Sequence, residues 1–167
     1  MDTIKAIKNR RSIRNYIDKE IPREILKDLI NCGRLAPTGY NRQPWKFVVV
    51  TDKKLKEKIA NLARYGRFIK EAGACIVVFC DKEKAFTLLE DACAATENII
   101  IAAESYGLGS CWVNSYQKEH SPKVEKLLNA PEEMVLTTMI AVGYHEEQEK
   151  NNRNKKSLEE VLVWDEF

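Results

Sequence analysis

The sequence lacks a surplus of charge of either sign and lacks any long apolar run. It has 27 Lys and Arg against 25 Asp and Glu, a net charge of +2. Nucleic-acid-binding domains usually carry a clear basic surplus, so we expect no nucleic-acid partner, and an anion site would need a local cluster. The longest apolar run, residues 74–80, is far shorter than the roughly 18 residues of a membrane span. We therefore expect no membrane partner.

Paired cysteines and an apolar leader are also missing. There are five cysteines, an odd number without a C-x-x-C pair: Cys32, Cys75, Cys80, Cys93 and Cys111. This usage argues against a disulfide framework, an iron–sulfur cluster and a zinc site. The first residues are polar and run into a basic segment, so we expect no export signal and a cytoplasmic, reducing compartment.

The familiar catalytic and nucleotide-binding motifs are absent. The chain has no G-x-S-x-G, H-E-x-x-H, G-x-G-x-x-G or Walker sequence. His120 and His145 lie near polar segments and pair with no convincing Ser or Cys nucleophile. The sequence therefore gives little support for a hydrolase, a metalloenzyme, or a Rossmann or P-loop nucleotide site, and no metal ligand is assigned.

The features that are present describe an ordinary globular chain. Its 167 residues, 44% apolar and 31% charged, predict a single domain over residues 1–167. Helical and strand patterns alternate, which indicates an α/β or α+β class with helices on a central sheet. Helices are predicted at 3–10, 22–32, 52–63, 84–106 and 121–128, with a short helix near 157–162. Buried strands are predicted at 45–51 and 75–80, and further strands at 110–113 and 135–144. A polar loop is predicted at 151–156.

The helix predicted at 84–106 is the most informative element. Residues 99–103 (IIIAA) are apolar on every side, so this part of the helix must be buried all round. A second subunit could supply the extra cover, or the helix could be enclosed by its own domain. We favour the dimer.

Four polar segments could carry chemistry. Residues 10–16 (RRSIRNY) place three guanidiniums and a hydroxyl within five residues, which suits a phosphate monoester, although a solvated basic turn is the alternative. Residues 36–45 (APTGYNRQPW) form a loop between prolines whose neutral side chains could read the edge of a planar heterocycle, or form only a polar turn. Residues 107–115 (GLGSCWVNS) either end the long helix or bring backbone close to a ligand. The basic run at 153–156 is typical of a solvated segment.

Taken together and in this order, these segments resemble the signature blocks of the nitroreductase family. The matching blocks are residues 10–16, 36–45, 102–112 (AAESYGLGSCW), 142–144 (VGY) and 157–164 (SLEEVLVW), so the likeness covers nearly the whole chain. The resemblance implies an α+β fold with a mostly antiparallel sheet flanked by helices. It also implies a homodimer that packs through the long central helices and shares two FMN sites.

By position, the resemblance implies a phosphate site on the N-terminal segment. Arg10, Ser12 and Arg14 would hold the phosphate and ribityl region, and Arg11 would contribute at least its backbone. Cations from the C-terminal segment would approach the same phosphate: Lys155, together with Arg153 or Lys156.

The flavin ring would be lined by other segments. The backbone of Asn114 and Ser115 would face the ring near N5, where a donor helps to set its orientation and potential. The other subunit would contribute four residues: Pro37, Thr38, Gly39 and Asn41.

The implied activity is an NAD(P)H-dependent oxidoreductase. NADH or NADPH would reduce FMN, and a small electron-poor acceptor such as a nitroaromatic or quinone would then take its place, in a ping-pong sequence. Two alternatives stay open: a flavin-binding protein with little turnover, serving storage, sensing or partner contact, and a family member that acts on another aromatic substrate.

Three features depart from the family pattern. The closing segment offers lysines where the family often has an arginine, which would weaken phosphate binding. Asn114 stands where relatives often have glycine or glutamate, so only its backbone is assigned. The link between Cys80 and the long helix is short where longer relatives carry a lid, which implies an open site with loose substrate choice or a lid formed elsewhere. The cation near flavin N1 has only Arg67 and Lys70 as candidates.

Overall fold

The computed structural model of the chain describes residues 2–146 and 155–167. Residues 151–154 of the loop predicted at 151–156, with Arg153, lie outside them. The helices are α1 (Thr3–Asn9), α2 (Arg23–Gly33), α3 (Lys53–Leu62), α4 (Leu88–Ser105) and α5 (Ser121–Leu127), and the strands are β1 (Trp45–Val50), β2 (Ala74–Asp81), β3 (Gly109–Asn114) and β4 (Met134–Gly143).

The four strands form one sheet in the order β1-β2-β4-β3, and every neighbouring pair is antiparallel. β2 is buried along its whole length, which suits a continuously apolar strand in the centre of a sheet. β1 was expected to be buried too, and that prediction is wrong. It lies at the edge, where Lys46 and Val49 are exposed, Phe47 and Val48 are half-buried, and Trp45 and Val50 at the two ends are buried.

Helices cover both faces of the sheet and confirm the α+β class. Ile76 and Val78 of β2 join a core cluster with residues of α2 and α4. The alternate residues Cys75 and Val77 join a second cluster on the other face, with residues of α3 and α5. Because successive side chains of β2 point to opposite faces of the sheet, this strand contributes to both core clusters.

Both ends of the long helix α4 have a local cause. It begins at Leu88, four residues later than predicted, because Asp81 holds a preceding turn by accepting from the backbone N–H of Glu83 and Lys84. It ends at Ser105, one residue before the predicted end, and Gly107 follows as predicted with a φ of +71°, the left-handed conformation that favours glycine after a helix.

The chain covers much of α4 itself. α1 and α2 pack against it, and Ile99, Ile100 and Ala103 are buried. Ile101 and Ala102 remain partly exposed in the single chain.

The last residues, 155–167, are exposed throughout. The helix predicted near 157–162 is wrong: the segment makes one turn, in which Val161 and Leu162 N–H donate to the Leu158 carbonyl. A short segment that packs on nothing does not offset the cost of helix nucleation. In the part of the chain that the structure describes, no helix is long and apolar enough to cross a membrane.

Candidate functional site

The basic segment at 10–16 lies along the outer edge of β3. Ile13 N–H donates to the Ser110 carbonyl at 2.9 Å, and Ser12 forms a parallel bridge with Ser110. Gly109 permits this approach, because a Cβ there would lie 2.8 Å from the Ile13 side chain. The Tyr16 hydroxyl fixes the end of the segment by donating to the carbonyls of Ile13 and Ala141 (2.7 and 3.2 Å).

Three guanidiniums of this segment have few partners. Arg11 donates to the carbonyls of Lys8 and Arg10 (2.9 and 2.8 Å), and the Arg14 guanidinium lies 5.7 Å from the centre of the Phe68 ring. Arg10 Nε is buried without an acceptor among the described residues, and none of the ion pairs found there involves these arginines. A buried N–H without an acceptor is costly. The cluster therefore fits a phosphate, which would supply both acceptors and negative charge.

A cleft of about 570 Å³ opens beside the end of β3. Its size is in the range of small-molecule sites, and it combines apolar walls with a few polar groups. Its lining includes Arg14, Arg64, Phe68, Trp112, Asn114 and His120.

The backbone at the end of β3 presents one donor to this side. Ser115 N–H donates to the Thr137 carbonyl at 3.2 Å, so it is used within the sheet. Asn114 is paired with Thr138, and the alternation of an antiparallel ladder directs the N–H of Asn114 away from β4, toward the outer edge. Of the two residues predicted to face a flavin, Asn114 is therefore the one whose N–H is directed outward.

Hydrogen bonds with neighbouring residues fix the position of Ser115. Its hydroxyl donates to the Val113 carbonyl (3.2 Å) and lies 3.0 Å from His120 Nε2, and Ser121 Oγ donates to its carbonyl. Burial, with a contribution from the charge of Lys118, lowers the pKa of His120. The imidazole is therefore neutral at neutral pH and serves as a hydrogen-bonding group.

The loop at 37–43 is compact and unusual in its backbone. Tyr40, Asn41 and Gln43 have φ of +52°, +55° and +48°, in the left-handed region that non-glycine residues seldom adopt. Thr38 Oγ1 accepts from Gln43 N–H at 3.1 Å, and Gly39 N–H donates to the Asp91 carboxylate at the start of α4. Pro37 is exposed beside them.

In the single chain this loop and the cleft lie at opposite edges of the sheet. The loop precedes β1 and the cleft borders β3, with β2 and β4 between them, a separation of roughly 14 Å at the usual strand spacing. The structure thus brings Arg14 and Asn114 to one cleft, with Arg10 and Ser12 on the adjoining segment, but leaves the loop residues elsewhere.

The remaining predicted cations lie outside this cleft. Lys155 and Lys156 are exposed, and neither makes a hydrogen bond or ion pair with residues of the described ranges. Arg67 and Lys70, the candidates for flavin N1, do not line the cleft, whereas Arg64 does. No local signal in the sequence distinguishes Arg64 from other surface arginines.

Comparisons with known proteins agree with this geometry. The chain matches the nitroreductase family over residues 7–66 and 61–144. It is 36% identical over 149 residues to a Methanothermobacter thermautotrophicus protein named NADH dehydrogenase/NAD(P)H nitroreductase, covering 86% of this chain and 78% of that one.

Two of the solved structures that share its fold are nitroreductases whose descriptions name FMN. An FMN-dependent nitroreductase from Clostridium difficile has a TM-score of 0.91 and 30% identity, with 98% of this chain and 99% of that one covered. A nitroreductase from Desulfovibrio desulfuricans, solved in complex with FMN, has a TM-score of 0.84 and 29% identity, with 100% and 98% covered. The chain belongs to the nitroreductase family.

Proposed function

We propose that the chain binds FMN and works as an NAD(P)H-dependent oxidoreductase. The observation that carries this proposal is the arginine segment at 10–14, with the buried and unpartnered Nε of Arg10, beside a cleft toward which Asn114 directs a backbone N–H. Membership of the family and the FMN bound to the Desulfovibrio desulfuricans relative support it.

The basic segment would hold the phosphate end of the cofactor. Arg10 and Arg14 provide charge-assisted donors, Ser12 an exposed hydroxyl, and Arg11, whose side chain bonds locally, its backbone. Lys155 and Lys156 belong to an exposed segment that could reach the same phosphate, in this subunit or its partner.

When bound, FMN supplies a ring that accepts hydride from NADH or NADPH and passes electrons to a small acceptor. Asn114 N–H would orient that ring at N5, and Phe68 and Trp112 would exclude water from one side of it. The short link between β2 and α4 suits an open site, which would admit planar, electron-poor acceptors such as quinones or nitroaromatics after the oxidised donor has left.

We further propose a homodimer in which each flavin is shared. The loop at 37–43 is too far from the cleft of its own chain to line it, so the loop of a second copy is the candidate. Apolar residues left uncovered by one chain would supply the interface: Ile4, Ile7, Ile101, Leu158, Val161 and Trp164. The five free thiols suit a cytoplasmic, reducing compartment.

The visible absorbance spectrum of the purified protein tests the proposal. We expect flavin bands that bleach on anaerobic addition of NADH or NADPH and return when a quinone is added. A protein that stays colourless with added FMN would overturn the cofactor and the site. Flavin bands that neither donor bleaches would instead favour the flavin-binding protein with little turnover.

A further inference from the structure

A carboxylate is buried in the first turn of α4. Asp91 is 3% exposed and follows Leu88 on the side of the helix that carries Ala92 and Ala95 into the core. Carboxylates are almost never this buried unless they are paired. No cation pairs with Asp91 among the ion pairs of the described residues.

One oxygen of this carboxylate connects two parts of the chain. Asp91 Oδ1 accepts from Thr87 Oγ1 at 2.8 Å and from the backbone N–H of Gly39 at 3.1 Å. Gly39 lies 52 residues earlier in the sequence, in the 37–43 loop. The second oxygen, Oδ2, is buried and has no partner within the described part of the chain.

The loop that Asp91 holds is strained and closely packed. Tyr40, Asn41 and Gln43 have left-handed backbone, a conformation that is unfavourable for residues other than glycine. Gly39 is pressed against α4, since a Cβ on it would lie 2.6 Å from Thr87 Oγ1. A loop in this conformation persists only where its surroundings hold it.

Burying the carboxylate opposes folding, because one oxygen loses water and gains no donor. Both hydrogen bonds use Oδ1, so they do not offset the cost of burying Oδ2. The role of these hydrogen bonds is therefore better explained by the position they give the loop than by a gain in the free energy of unfolding.

We propose that Asp91 is a positioning residue: its Oδ1 holds Gly39, and with it the 37–43 loop, in the shape in which the loop meets the flavin of the partner subunit. The inference rests on the proposed function, because it requires the loop to line a bound FMN. Asp91 itself does not touch the cofactor.

Five variants separate this role from a general effect on stability. Asp91→Ala removes the acceptor, and Thr87→Val removes one of its two donors. Asp91→Asn keeps an acceptor oxygen of the same shape for Gly39 and Thr87. Glu90→Ala, which removes an exposed carboxylate from the same turn, is the matched control. Ile140→Val, in the core of β4, is a control for destabilisation.

The measurements are the FMN dissociation constant, by flavin fluorescence titration well below the unfolding temperature, and the melting temperature of each apoprotein. We expect Asp91→Ala to weaken FMN binding at least about tenfold, as the loss of two hydrogen bonds would do, and Thr87→Val to weaken it by less. Asp91→Asn should restore the affinity to within about threefold of the wild type. Glu90→Ala and Ile140→Val should leave it unchanged, even where the melting temperature falls.

Two results would overturn the inference: an Asp91→Ala protein with wild-type FMN affinity, or an Asp91→Asn protein as weak as Asp91→Ala. If Asp91→Ala does not fold, the FMN affinities of Thr87→Val and Ile140→Val are compared instead. Weaker binding by Thr87→Val than by Ile140→Val would support the inference, and equal binding would overturn it. A wild-type protein that binds no FMN would be a failure of the proposed function itself and is read from the same titration.

Discussion

Arg10 carries the strongest single-residue indication of a ligand. Its Nε is buried and lacks an acceptor among the described residues, whereas its neighbour Arg11 is satisfied by the carbonyls at the end of α1. A phosphate oxygen at Arg10 would remove that cost and form a charge-assisted hydrogen bond.

Arg10→Ala should therefore distinguish FMN from riboflavin, which lacks the phosphate. We expect FMN binding to weaken by at least about tenfold, since hydrogen bonds to charged groups are worth about 1.5–3 kcal/mol, while riboflavin binding stays within about twofold. Titration of flavin fluorescence with each ligand measures both. Arg67→Ala, an exposed arginine outside the cleft, is the control. Equal losses for both flavins would place Arg10 away from the phosphate.

At this scale the sequence revealed only part of the site. The cluster at 10–14 is visible because its three cations lie within five residues, whereas Asn114 is assigned only through the resemblance to the family. Arg64 and His120 could not be found in this way, since long-range packing of separate elements brings them to the cleft. Asp91 left a weak signal, an acid within the apolar stripe of a helix.

Elements were predictable where their pattern is local. Asp52 caps α3 as expected, accepting from the N–H of Leu55 at 2.7 Å, and the apolar run of β2 forms a central strand. The position of β1 at the sheet edge was not predictable, because the order of strands depends on topology. The sequence near 157–162 predicts a helix, but the segment forms only a turn at 159–161, because it is exposed and lacks the tertiary contacts that would stabilise a short helix.

The packing of α2 against α4 depends on the absence of a side chain at one residue. A Cβ at Gly33 would lie 2.8 Å from both Cγ1 and Cδ1 of Ile99. We expect Gly33→Ala to lower the free energy of unfolding by about 1–3 kcal/mol, the usual cost of overpacking. Urea denaturation measures the change.

Ile99→Ala removes both of the atoms that would clash. In a protein that carries Ile99→Ala, Gly33→Ala should therefore lower the free energy of unfolding by clearly less. A double-mutant cycle over the two single variants and the pair gives the coupling. If the changes in the free energy of unfolding of the two single variants simply added in the double variant, the helices would be moving apart instead, and Gly33 would not set the distance between them.

The whole molecule places the groups that we propose to bind flavin at two edges of one sheet, and association of two chains would bring them together. The arginine segment and Asn114 lie at β3, and the 37–43 loop lies beside β1. If the site is shared, a defect in the arginines and a defect in the loop affect different sites of a mixed dimer.

Complementation between two defective chains tests this sharing. One chain carries Arg10→Ala with Arg14→Ala; the other carries Gly39→Val, whose side chain would displace the loop from Thr87 and Phe86. Each homodimer should bind FMN poorly. In the mixed dimer, one site combines both defects, but the other combines intact arginines from one chain with an intact loop from its partner.

Co-expression with two different tags and tandem purification isolates the mixed dimer, and its flavin content is read from absorbance. We expect about one FMN per mixed dimer, against two for a doubly tagged wild-type dimer prepared in the same way. A mixed dimer without flavin would mean that both groups of residues serve the same chain, which requires the loop to cross the sheet edge. A single-chain mass in light scattering would remove the shared site altogether. One restored site would establish, from binding alone, that each cofactor is held by two subunits.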